Sequence, residues 1–192
     1  MAENITKAFC ASNLLMETNL LRIQNEYEVD LGKGLIKNDN FRDIRLNFGI
    51  EIFRDSERMS RYYAIFYCIE RQTRVLIADV LGEAHGLSWW STKAPQQIRQ
   101  DVQNRIQHDI DSGIALRSTE PIDYTTFGEL GQIIDKNWDD FSDRFSNRKA
   151  MKRTFSNLNL LRGPIAHNST FVESEADRFN IAIEDWLRQQ KS

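Results

Sequence analysis

Glycine and proline are scarce in this chain, 9 and 3 of 192 residues, about half of ordinary usage. That shortage argues against a loop-rich β-sandwich and against disorder, and it favours long helices. Cysteine is rarer still. Cys10 and Cys68 offer neither a disulfide framework nor metal-ligand spacing. Long apolar runs are missing as well: the longest, Tyr62 to Ile69, is eight residues, far short of the ~20 that span a bilayer. Glu3, Lys7 and Glu17 interrupt any signal-like stretch at the N-terminus. A reduced, cytoplasmic setting away from membranes is the expectation. Neither a Gly-rich phosphate loop nor a Cys/His cluster is visible, so no cofactor and no metal are called for. What is there is ordinary globular material, 41% apolar and 28% charged, long enough for one domain plus an extension.

Charge is unevenly distributed. The chain carries a formal net charge of −3, yet residues 142–162 hold Arg144, Arg148, Lys149, Lys152, Arg153 and Arg162 against Asp143 alone. A basic island sits inside an acidic protein. Read by charge alone, such a run is a solvated helix face.

Periodicity divides the chain near residue 54. Residues 3–26 read as a helix. Residues 27–53 alternate instead: Tyr27, Val29 and Leu31, then turn chemistry at Gly32-Lys33-Gly34, then Ile44, Leu46, Phe48, Ile50 and Ile52. Period two points to a β-hairpin, preferred over a helix built on Phe41, Ile44, Phe48 and Ile52. From residue 55 helical patterns take over. One helix is expected over 56–81, ending near Gly82. The next starts at Pro95 with a stripe of Ile98, Val102, Ile106 and Ile110, and is stopped by Gly113. Another runs from Tyr124 to Phe141. Asn147 caps a further helix through Met151, Phe155, Leu158 and Leu161. The last opens on Thr170-x-x-Glu173, a capping-box pattern, with Val172, Ala176, Phe179, Ile183, Trp186 and Leu187 on one face. Short connections between these segments predict an antiparallel helical bundle, all-α apart from the hairpin, with residues 1–54 as extension and 55–192 as the helical domain.

Chemistry concentrates at Arg162-Gly163-Pro164-Ile165-Ala166-His167. At ~100° per residue, Arg162 falls in the same row as Met151, Phe155 and Leu158. A permanently charged guanidinium in an apolar row requires a partner, an interface or a cleft. Pro164 removes a backbone donor and is expected to bend the helix there, which matters because an ideal helix turns His167 about 140° away from Arg162. A fixed cation beside a group that titrates near neutrality is a toolkit for cutting RNA without metal: one group takes the 2′-OH proton and the other steadies the phosphate. With 17 arginines and 3 histidines in the chain, the spacing acquires meaning only from its surroundings.

Those surroundings are Trp89-Trp90, Pro121-Ile122-Asp123-Tyr124-Thr125-Thr126-Phe127-Gly128-Glu129-Leu130, Ile133-Ile134-Asp135-Lys136-Asn137-Trp138, and Leu158 to Asn168. In that order they resemble the HEPN superfamily over roughly residues 55–190, closest to the subgroup attached to PIN-type nucleases of mRNA surveillance and found in bacterial defence and stress proteins. The resemblance implies an all-α bundle that forms a homodimer across an Arg-x(4–6)-His segment. In active members two such segments make one composite site that cuts RNA without metal and leaves a 2′,3′-cyclic phosphate. Carried over, Arg162 and His167 are the catalytic pair. The chain departs from the pattern at Gly163, where active members often carry a polar residue, commonly Asn. A regulatory protein partner (an antitoxin, a sensor or a defence-system subunit) is implied too, as is a toxin or defence role.

Around this pair, Asn168 is a second polar group, and Lys149, Lys152 and Arg153 are placed to approach an RNA backbone. His85 reads as a helix-end residue, His108 as solvated, Cys68 as a core thiol, Trp89 and Trp90 as bundle packing, and Glu70 with Arg74 as a local i,i+4 pair. The reading is a metal-independent endoribonuclease. Its alternative is a non-catalytic dimerisation or RNA-binding module in which Arg162 and His167 satisfy each other across an interface.

Overall fold

The computed structural model describes residues 48–190. They belong almost entirely to a compact unit beginning at Ile50. The helices are α1 (Ile50–His85), α2 (Trp89–Lys93), α3 (Gln96–Asp111), α4 (Phe127–Lys136), α5 (Trp138–Phe141), α6 (Arg148–Ala166) and α7 (Glu173–Gln189), with 3₁₀ turns at Gly86–Ser88 and Pro121–Tyr124. Among the described residues the only extended pairing is one antiparallel bridge, Phe145 to Gln190.

Helix α6 lies at the centre. Asp135 of α4 meets Arg148 and Lys152 at the start of α6, whereas Gly128 faces Asn159, nearer its end. The two helices therefore run antiparallel. Met59 of α1 accepts from the Phe171 N–H beyond the end of α6 at 3.4 Å, and Glu70 reaches back to Arg162, so α1 is antiparallel to α6 as well. The bridge at Phe145 and Gln190 sets α7 antiparallel in turn. Phe66, Phe127, Phe155, Trp186 and Phe145 form a chain of ring contacts, with centroids 4.9–6.0 Å apart, that ties α1, α4, α6, α7 and the α5–α6 loop into one core. Glycine permits the closest approach: a Cβ on Gly131 would lie 2.9 Å from the Phe155 ring.

Local chemistry explains the element ends. Asn147 accepts from the Ala150 N–H at 3.0 Å and starts α6. Gly86 and Gly113, at φ +67° and +65°, leave α1 and α3 by the left-handed conformation. Thr126 and Glu129 make a reciprocal capping box on α4.

Several expectations are corrected. Ile50 to Phe53 are helical, the first turn of α1, so the alternation there does not mark a strand; a long helix propagates through it at little cost once nucleated. The rest of the expected hairpin, and the helix over 3–26, lie outside the described residues. Gly82 sits inside α1 rather than ending it. The helix expected over Tyr124–Phe141 is broken at Asn137, whose side-chain amide donates to the carbonyls of Ile133 and Lys93 at 2.8 and 3.2 Å. Helix α7 has Val172 at its N-cap position with no side-chain cap, so Thr170 and Glu173 form no capping box. Val172 and Leu187 are exposed and Ala182 is buried instead. Ile110 is likewise exposed and its neighbour Asp109 buried. Cys68 is exposed and not a core thiol.

Candidate functional site

Met151, Phe155 and Leu158 form the buried row of α6 that the periodicity requires. Arg162 continues the row but escapes burial, its side chain 36% exposed. Its partner comes from α1: Nε donates to Glu70 Oε2 at 3.3 Å. The other Glu70 oxygen accepts from Arg74, which also donates to the Thr125 carbonyl at 2.9 Å. Arg74 Nε is buried and unpartnered among the described residues. Glu70 thus links two arginines, one from its own helix and one from α6. The outer nitrogens of Arg162, Nη1 and Nη2, make no hydrogen bond among the described residues.

Arg162 lines a cleft of about 390 Å³ together with Tyr63, Phe66, Tyr67, Glu70, Arg74, Arg117, Ile165 and Ala166. Arg117 is held from behind, its Nε and Nη2 donating to Asp109 at 2.7 and 2.9 Å with the guanidinium 5.2 Å above the Tyr124 ring. That guanidinium holds the buried Asp109 carboxyl below its ordinary range. Lining charges sum to three arginines less one glutamate, or +2, in a chain whose net charge is −3.

His167 is the C-cap of α6, exposed, its N–H bonded to the Gly163 carbonyl at 3.0 Å. It is not among the residues lining the Arg162 cleft. The helix runs on through Pro164 to Ala166 and ends at His167. Asn168 adopts φ 55°, and the Ser169 N–H returns to the Pro164 carbonyl at 2.9 Å, the closure of a left-handed helix stop. Asn168 also lines a separate cleft of about 550 Å³ with Ile52, Met59, Tyr63 and Ile165. A Cβ on Gly163 would meet nothing within 4 Å.

The basic island is elsewhere. Lys149, Lys152 and Arg153 lie about 14–20 Å along the α6 axis from Arg162, at 1.5 Å per residue. Lys152 and Arg148 are paired with Asp135 at 2.9 and 2.7 Å. Arg148 chiefly, and Lys152, keep the Asp135 carboxyl below its usual range. Lys149 and Arg153 are exposed. His85, the last residue of α1, has Nε2 3.0 Å from Asp140 Oδ2; His108 is exposed, and Trp89 and Trp90 meet each other edge to face and are half-buried against the core. Among the described residues no group of three or more His, Cys, Asp or Glu is gathered as for a metal ion, and no helix is long and apolar enough to cross a membrane.

Sequence reasoning passed over Tyr63, Tyr67 and Arg117, and saw in Glu70 and Arg74 only a local pair. The available signal was on α1: buried Phe66, Ile69, Thr73 and Ile77 mark one stripe, and Glu70 and Arg74 flank it on the side that α6 covers.

An all-α bundle whose central helix closes on Arg162-x(4)-His167 is the architecture that the resemblance to HEPN domains implied. A family description, Swt1-like HEPN, matches residues 64–189. The chain belongs to that family. No curated protein and no solved structure matches it.

Proposed function

We propose that this protein is a metal-independent endoribonuclease acting as a homodimer in the cytoplasm, with Arg162 and His167 as its catalytic pair. The observation that carries the reading is the posture of Arg162: Glu70 takes one nitrogen, Nε, and the two-pronged end is left for a phosphate at a cleft of net positive charge. In the reaction the 2′-oxygen attacks the adjacent phosphorus, the P–O5′ bond breaks, and the products are a 2′,3′-cyclic phosphate and a 5′-hydroxyl. One imidazole takes the 2′-OH proton and another returns a proton to the leaving oxygen. Two copies supply both, and a two-fold axis near the end of α6 brings His167 of one copy toward Arg162 of the other. Asn168, Lys149, Lys152 and Arg153 serve as further RNA contacts in this reading, and a regulatory protein restrains a toxin or defence effector.

A second reading is favoured by the same ion pair. Arg162 already has an intrachain partner in Glu70 and Gly163 replaces the usual polar residue, which suits a non-catalytic dimerisation or RNA-binding module. The experiment is incubation with total RNA in EDTA, wild type beside His167→Ala. Cleavage that survives EDTA, spares DNA, stops at a single 2′-deoxynucleotide 5′ of the cut and falls in the variant supports the nuclease. Intact RNA with a wild-type dimer, or equal cleavage by the variant, leaves the binding module.

A further inference from the structure

Helix α1 turns Tyr62 and Phe66 inward, yet leaves Tyr63 and Tyr67 59% and 55% exposed. The two are one turn apart, ring centroids 6.3 Å and planes 33° apart, and both line the Arg162 cleft. No other pair of exposed aromatic rings borders the charged cleft among the described residues; Trp89 and Trp90 are partly spent on the core. Two flat apolar faces beside a +2 pocket match a ligand that alternates flat rings with negative charge. Arg117 adds to the match, because Asp109 occupies Nε and Nη2 and leaves Nη1 directed elsewhere. Arg74, buried against Glu70 and Thr125, contributes field rather than contact.

We propose that Tyr63 and Tyr67 form a base-stacking subsite for single-stranded RNA, with flanking phosphates held by the outer nitrogens of Arg162 and by Arg117. Stacking suits a tyrosine pair, since a base meets a ring face and the phenol oxygen stays in water. A duplex keeps its bases stacked on one another, so the subsite selects single strands. The inference rests on the RNA-directed reading of the Arg162 cleft and does not require that the bound strand be cut.

The test is fluorescence anisotropy with an end-labelled RNA of about 12 nucleotides, within the usual span of such grooves. The full chain is used in a His167→Ala background, so the probe stays intact. Tyr63→Ala with Tyr67→Ala is expected to weaken single-strand binding by about tenfold or more. Tyr63→Phe with Tyr67→Phe restores it, and affinity for an RNA duplex is the same in all three. Two results overturn the subsite: no measurable binding by the parent, or unchanged affinity in the alanine pair; if that unchanged affinity comes with a fall from dimer to monomer by light scattering, the tyrosines are assigned to a second copy. Cleavage by the wild-type chain separates this from the nuclease reading. If RNA is bound through the tyrosines but never cut, the nuclease falls and the subsite stands. If RNA is cut and the alanine pair binds unchanged, the subsite falls and the nuclease stands.

Discussion

Two of the arginine–carboxylate pairs that join helices of this bundle, Arg105–Glu129 and Arg162–Glu70, differ in how much of the guanidinium they use. Arg105 of α3 grips Glu129 of α4 with both prongs, at 2.8 and 2.7 Å, and spends a third bond on the Tyr124 carbonyl at 2.9 Å. Burial drives the Glu129 carboxyl upward, but Arg105 and the Thr126 N–H more than offset it, so that it lies below its ordinary range. Arg162 offers Glu70 only Nε, at 3.3 Å, and keeps its prongs. A pair that engages both prongs in this way is a structural fastening. A half-used one tethers a cation and leaves its two outer nitrogens without a hydrogen bond among the described residues. The carboxylate oxygens are distributed to match: both Glu129 oxygens serve Arg105, whereas those of Glu70 are divided between two arginines.

The sharpest way to break that comparison is activity. His167→Ala is expected to lower RNA cleavage by ~10²–10⁴-fold, the usual proton-transfer contribution, with little change in melting temperature because the residue is exposed. Arg162→Lys should also fail, since a point charge lacks the two-pronged grip. Equal cleavage by either variant, measured on labelled RNA in EDTA at matched dimer fraction, removes the functional half of the contrast.

Stability probes the other half. Arg105→Ala leaves a buried carboxylate without its partner, a loss of about 3 kcal/mol, or roughly 6–12 °C for a domain of this size. Arg162→Ala, at a half-exposed single contact, should cost under about 1 kcal/mol. Thermal unfolding by circular dichroism compares them directly, and equal losses would erase the distinction.

Acid sharpens it further. Glu129, Asp135 and Asp109 have carboxyl groups lowered in the folded state. The native protein therefore binds fewer protons than the unfolded chain as pH falls below the ordinary values of 4.5 and 3.8. The stabilisation is complete above those values and is lost as pH falls through the folded ones. Glu129→Gln should start from a lower melting temperature and show a shallower acid limb. An unchanged limb would mean that the fastening is not electrostatic.

The smallest effect is expected at Gly163. An added side chain meets nothing within 4 Å and a helix interior favours Asn over Gly by a few tenths of a kcal/mol. Gly163→Asn should therefore raise the melting temperature by about 1 °C. If the polar residue of active relatives assists the reaction, cleavage rises as well.

Legibility followed the range of the interactions. Asn147, Gly113 and the buried row of α6 were readable because a cap, a left-handed exit and a helical repeat depend on a few adjacent residues. The Thr170 pattern misled because a capping box needs its threonine at the N-cap, and α7 begins after Val172 instead. Asn137 sits at a break that the local pattern does not show, its side-chain amide held by the carbonyl of Lys93, 44 residues earlier. Cys68 looked buried because its neighbours Phe66 and Ile69 are, and only packing shows which side of α1 faces the bundle.

The sequence by itself determined that the chain from residue 55 on is mainly helical, that Arg162 continues an apolar row, and, through its resemblance over 55–190, the family. These are properties of local backbone preference, of a 3.6-residue repeat and of ordered motifs along the chain. Tertiary structure alone decided that Arg162 is answered by Glu70, 92 residues away, and that Arg117 and two tyrosines, but not His167, line its cleft. An ion pair between α1 and α6 depends on how two helices are rotated and staggered against each other. That rotation is set by the whole core, Gly131 beneath Phe155 and Phe127 stacked on Phe155 included, and no local stretch of sequence encodes it.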